Sequence, residues 1–136
     1  MGTMVKVHIE KIGKSAELIS SISHIAKTKD LGSSWIVGAL GALEDIEIGI
    51  FIPGEGYKHY KIDGPMELVS SQGNISSDGE VIHLHCCIGD GSNVWAGHLF
   101  SAKVALFVEL CLLKTDFKIE RREVGEGLKE MVVSEG

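Results

Sequence analysis

From Trp35 to Arg122 the chain is a succession of short runs of strand-forming residues, parted at regular intervals by Gly, Pro, Asp, Asn and Ser. Runs of that kind between turn formers read as strands. They cover Trp35 to Leu40, Ile46 to Ile52, Tyr57 to Ile62, Met66 to Ser70, Val81 to Ile88, Val94 to Phe100, Lys103 to Leu113 and Phe117 to Arg122. Ahead of them, Val5, Val7 and Ile9 alternate with Lys6, His8 and Glu10, the period of a first strand with one buried face. One helix stands between, over about residues 15–29. Ser15 can cap it, Leu18, Ile19, Ile22, Ile25 and Ala26 form one apolar stripe, and Gly32 offers a left-handed stop. His24 lies off the stripe and reads as a solvated surface residue. One helix beside many strands predicts an α+β fold with a mostly antiparallel sheet.

The run Val104 to Leu113 does not alternate cleanly. It reads as a buried helix or as a strand covered on both faces, and its β-branched start and short Lys-Thr-Asp link favour the strand. Covering both faces in a chain of 136 residues calls for another subunit, so a homo-oligomer is expected. Residues 4–128 are expected to form one domain, and 129–136 a frayed tail. Met1 to Thr3 are assigned no function, and the Met-Gly start fails the myristoylation pattern because Lys6 takes its sixth position.

The net charge of -6 opposes binding a phosphate backbone with the whole surface. Three cysteines without a CxxC pair make no disulfide framework, and no secretory leader is visible, so a reducing cytoplasm is the default expectation. No apolar run is long enough for a bilayer-spanning helix, and no membrane partner is expected. Gly54-Glu55-Gly56 and Gly125-Glu126-Gly127 lack the spacing of phosphate loops and read as turns.

Chemistry concentrates in one stretch. His83-Leu84-His85-Cys86-Cys87-Ile88 and Val94 to His98 flank Gly-Asp-Gly-Ser-Asn, which predicts a hairpin. His83 and His85 share a face of their strand. With a four-residue loop, pairing 88 with 93 or 89 with 94, His98 joins that face, whereas an odd loop without a bulge turns it away. Three imidazoles with an open fourth position are a known way to hold Zn²⁺ or another divalent transition metal. Cys87 shares the histidine face and admits a mixed site, although a free cysteine in such a strand reads first as core; Cys86 and Cys111 read as core. Glu67 and Glu109 are the carboxylates available as a general base or as partners orienting a ligand histidine. Each has a plainer reading: Glu67 as a solvated strand residue, and Glu109, inside an apolar run, as a buried carboxylate paired with Arg121, Arg122 or a histidine. There is no GxSxG elbow, so nucleophilic catalysis has little support. Lys58, His59 and Lys61 form one basic cluster and Arg121 and Arg122 another; without interleaved aromatics, each reads as solvated surface before it reads as a nucleic-acid contact.

Five blocks in order resemble the PPC domain, the plants and prokaryotes conserved domain. They are Trp35 to Leu43, Gly64 to Ile75, His83-Leu84-His85, Ala96-Gly97-His98-Leu99 and Phe117 to Arg122. The resemblance covers about Val5 to Leu128. It implies an α+β homotrimer, a DNA-associated or regulatory binding module, and a metal on the block that His83, His85 and His98 match. In plants the domain follows AT-hook motifs and contacts partner proteins. This chain has no Arg-Gly-Arg-Pro hook, and the plant Gly-Arg-Phe-Glu-Ile-Leu stretch reads Gly64-Pro65-Met66-Glu67-Leu68-Val69, keeping the Glu and losing the Arg. The function expected is a trimeric binding protein without enzymatic activity. A metal-dependent hydrolase or a small-molecule sensor on the three histidines is the alternative.

Overall fold

The computed structural model describes residues 4–136, so Met1 to Thr3 lie outside the described residues. Among the described residues, eight strands and one α-helix follow the order β1 (Lys6–Gly13), α1 (Leu18–Thr28), β2 (Ser34–Ile52), β3 (Gly56–Ile62), β4 (Met66–Ser76), β5 (Val81–Gly89), β6 (Val94–Lys114), β7 (Phe117–Gly125) and β8 (Leu128–Glu135), with a short 3-10 turn at Ser77–Gly79. All strand pairings are antiparallel. The six-stranded sheet has the order β1-β6-β5-β4-β2-β3, and a further β6 to β2 pairing closes β2, β4, β5 and β6 into a ring. The expected α+β architecture is therefore present in a barrel-like form.

Two strands are much longer than their sequence runs. β2 joins Trp35 to Leu40 with Ile46 to Ile52, and β6 joins Val94 to Phe100 with Lys103 to Leu113. Register shifts near Gly38, Ala42 and Asp45 let β2 bend around β6 without breaking. Those irregularities explain why Val104 to Leu113 fails to alternate. It is a strand, with Val104, Ala105, Val108, Leu110 and Leu112 buried and Leu106, Phe107 and Glu109 exposed. Its second face is left uncovered by this chain.

The helix packs Leu18, Ile22, Ile25 and Ala26 onto the sheet, and burial of such a stripe supplies most of its stability. Its boundaries differ from the expected ones. Glu17 is the cap, accepting from the amides of Ile19 at 3.1 Å and Ser20 at 2.7 Å, and it also receives the Ala102 amide from β6 at 3.1 Å. Ser15 has φ 75° and stands before the cap, and Asp30, at φ 56°, makes the left-handed stop in place of Gly32. Gly32 is needed for closeness: a Cβ there would stand 2.7 Å from the Asp78 backbone.

Two expectations reverse. Val7 and Ile9, predicted to face the core, are 57% and 75% exposed, and Val5 is exposed with them; β1 contributes Ile12 to the core instead. The tail expected to fray forms β8, which pairs with β7 as a separate two-stranded sheet. β7 continues past Arg122 to Gly125, and the turn Gly125-Glu126-Gly127 returns the chain into β8.

Candidate metal centre

The β5 to β6 hairpin carries the site. Gly89 pairs with Val94, so the loop holds four residues, and Asp90 Oδ1 closes it by accepting from the amides of Ser92 at 2.9 Å and Asn93 at 2.8 Å. An even loop keeps the faces in step, and His85 lies directly across from His98. The alternation of β5 then sorts its side chains. Leu84, Cys86 and Ile88 are buried in the core, while His83, His85 and Cys87 face outward. Gly73 lets β4 approach closely behind His83, since a Cβ there would stand 1.9 Å from the His83 carbonyl oxygen.

His83, His85 and His98 each offer a ring nitrogen within 4.8 Å of the others. Their ring centroids are 4.8, 5.3 and 5.6 Å apart. The Nε2 atoms of His83 and His85 stand 3.1 Å apart. Two nitrogens on one tetrahedral Zn²⁺ at 2.0 to 2.1 Å are roughly 3.3 Å apart, so little movement would bring these two onto a metal. Among the described residues, the Nδ1 of His98 is buried without a hydrogen-bond partner. An orphaned buried nitrogen beside two other imidazoles is the state of a donor set left for a cation. These residues therefore fit a divalent transition metal.

The surroundings favour the neutral form of His83 and His98, as ligation requires. Burial, then the Arg121 guanidinium and His85, lowers the His83 pKa to about 4. Burial, then His83, His85 and His59, lowers that of His98 to about 4. Aromatic rings form one wall. Phe100 lies 4.5 Å and Tyr57 5.4 Å from the His98 ring, and His59 stacks on Phe100 at 4.5 Å. His59 is fixed in turn by Glu47, with Nδ1 to Oε2 at 3.1 Å. His85 stays exposed and leaves the cluster open to solvent on its side.

Several residues singled out from the sequence do not join this cluster. Cys87 faces the same way but contributes nothing to it. Cys86 is core, and burial, with Cys87 beside it, pushes its thiol up to about 12. Glu67 is exposed on β4 opposite Gly89 and Ala42, at the far end of the strand from Asn74, the partner of His83. Glu109 is exposed on the outer face of β6, paired with Lys11 and Leu40, and needs no buried partner. Lys58 and Lys61 are exposed on β3. The two arginines separate: Arg122 points to solvent and pairs with Glu130, whereas Arg121 turns inward onto Ser76, Asn74 and His83.

Sequence reasoning missed Asn74 and Ser76, both buried, and the role of Tyr57 and Phe100. Asn74 and Ser76 alternating with Ile75 were the only available signal, and a weak one after Ser70-Ser71-Gln72-Gly73, because nothing local says which face of the strand is buried.

Known proteins share this frame. The model of the Plants and Prokaryotes Conserved (PCC) domain matches residues 1–116. A plant- and prokaryote-conserved protein of Pyrococcus horikoshii is 28% identical with a TM-score of 0.84, over 94% of this chain and 92% of that one. A metal-containing protein of Archaeoglobus fulgidus is 26% identical with a TM-score of 0.85, over 93% of each chain. A protein of Bacteroides thetaiotaomicron, named as a candidate DNA-binding protein, is 24% identical with a TM-score of 0.83, over 96% of each chain. No curated protein sequence matches significantly.

Proposed function

The chain belongs to the Plants and Prokaryotes Conserved domain family, and from that premise we propose that it is a self-associating, metal-holding binding protein. His83, His85 and His98 hold one divalent transition metal, with Zn²⁺ suited to three imidazoles and an open fourth position. The observation that carries the reading is the convergence of three imidazoles, with ring nitrogens within 4.8 Å of one another, one of the rings carrying a buried Nδ1 that has no partner among the described residues. The metal-containing relative in Archaeoglobus agrees with it.

The working form is a homotrimer. Ile9, Val37, Leu40 and Val69 are each more than half exposed on strands of one sheet and line one groove with Leu110 and Cys111. Contiguous apolar surface of this kind marks a protein interface, and a second and third copy of the same chain cover it without any other partner. Light scattering after size exclusion tests this: the mass should be near three times 14.7 kDa, and a single-subunit mass counts against it.

Elemental analysis of tag-free protein tests the metal. The expected result is about one Zn²⁺ or similar ion per subunit, lost in His83→Ala and His98→Ala while the fold persists. Stable protein that takes up no metal sinks the reading.

Chemistry beyond binding has less support. The open position suits hydrolysis, but neither Glu67 nor Glu109 stands in the cluster, so the carboxylate base expected for it is not among the residues brought together. Association with DNA or a regulatory protein follows the family and the naming of its relatives. The charge of -6 and the inward turn of Arg121 work against it and leave Lys58, Lys61 and Arg122 as the exposed cations singled out for such contacts. A gel-shift series across salt decides: saturable binding with a salt slope supports DNA association, and no shift at micromolar protein removes it.

A further inference from the structure

The β7 to β8 hairpin is a two-stranded sheet of its own, outside the residues that the family model matches. The buried Ile119 and a few bonds dock it on the barrel. The Ile119 amide donates to Ser33 Oγ at 3.0 Å, and the Gly54 amide donates to Glu126 Oε1 at 2.9 Å. Between these anchors Arg121 is the hub. Its Nε donates to Ser76 Oγ at 3.1 Å, and its Nη2 faces both Asn74 Oδ1 and, at 3.3 Å, His83 Nδ1.

A guanidinium has donors only and keeps its proton in proteins, so a hydrogen bond here makes His83 Nδ1 the acceptor. Neutral imidazole has a single ring N–H. With Nδ1 accepting, that N–H sits on Nε2, the nitrogen aimed at His85. A metal needs the lone pair of the same Nε2. Metal-bound histidines ordinarily donate their second nitrogen to a carbonyl or carboxylate, and Arg121 presents the reverse. Its charge also repels a dication, which adds in the same direction.

On the reading that the three histidines hold a metal, we propose that metal binding and docking of the β7 to β8 hairpin are antagonistic, with Arg121 as the positioning residue that couples them. In the docked form Arg121 holds His83 with its N–H on Nε2. Metal loading moves that N–H to Nδ1, with no net loss of a proton, turns the nitrogen facing Arg121 into a donor, and expels the guanidinium. The hairpin then loses its contact with His83 and keeps its bonds at Ser33 and Gly54 and the buried Ile119, so metal occupancy is displayed as a change in the freedom of residues 117–135.

Two measurements on the full chain test this. Zn²⁺ affinity is determined by competition with a chromophoric chelator for the wild type and for Arg121→Gln, whose amide carbonyl can accept from Nδ1–H. Amide hydrogen exchange over 117–135 is followed in the wild type with and without Zn²⁺. Arg121→Gln should bind about tenfold tighter, the scale on which the outer partners of metal ligands act, and Zn²⁺ should speed exchange in the wild-type hairpin. Equal or weaker binding by Arg121→Gln, or exchange unchanged or slowed by Zn²⁺, overturns the antagonism and leaves the metal site standing. No Zn²⁺ binding by either protein removes the site and the coupling together.

Discussion

At its beginning β6 brings His98 against His83 and His85, while farther along the same strand turns Leu106 and Phe107 to solvent. The two regions are incomplete in different ways. In the first, a buried ring nitrogen lacks a partner, a deficit of about 1 to 3 kcal/mol that only a directional donor or cation removes. In the second, apolar side chains lack cover, at roughly 25 cal/mol for each Å² left in water, which any apolar surface of matching shape removes. The polar gap therefore selects a small ligand by geometry, and the apolar gap selects a subunit by area.

A charge in the apolar region should have the largest effect. Leu40→Glu places a carboxylate beside Glu109 on the outer face, and light scattering should show the assembly reduced to single subunits with the fold intact by circular dichroism. Retention of the larger mass would mean that the self-association surface lies elsewhere. In the polar region His98→Ala should reduce metal content from about one ion per subunit to a trace, without changing the assembled mass. If instead it dissociates the protein, the two regions are not separate functions.

Leu84→Ala tests the boundary between them, because Leu84 sits between two outward histidines and is fully buried. Chemical denaturation of metal-free protein should report a loss of about 2 to 5 kcal/mol. A loss under 1 kcal/mol would mean that the strand is turned over. Acidity acts on the polar region through His83 and His98, whose folded pKa of about 4 lies below the ordinary 6.5. The unfolded chain binds more protons between these values, so metal-free stability should fall as pH drops from 6.5 to about 4 and these two groups should add no further loss below that. His83→Ala should flatten part of that slope. The smallest effects belong to Glu67→Gln and Glu109→Gln, which should leave metal content unchanged. A loss in either would return a carboxylate to the site.

The histidine hairpin was legible because its information is local. The two-residue period puts His83 and His85 on one face and the turn brings His98 back beside them, while the even loop that turns His98 to the same face was one of two registers the sequence left open and the Gly89–Val94 pairing decided. The same period marked Leu84 and Cys86 as inward. The sequence left Glu67 and Glu109 with two readings each, because a carboxylate in a strand says nothing about which other strand it will face; both are exposed, as the plainer reading of Glu67 had it.

By itself the sequence determined the antiparallel strands, the single helix, the histidine hairpin and the family blocks, each encoded within a few tens of residues as periodicity and turn chemistry, whereas the register of that hairpin was settled by the structure. The tertiary structure alone decided that Val5, Val7 and Ile9 look outward, that residues 128–135 form a strand, and that Arg121 reaches His83. Those outcomes depend on which surface the helix covers and on where β7 crosses the barrel. They are contacts between segments far apart in the chain, and no local pattern states them.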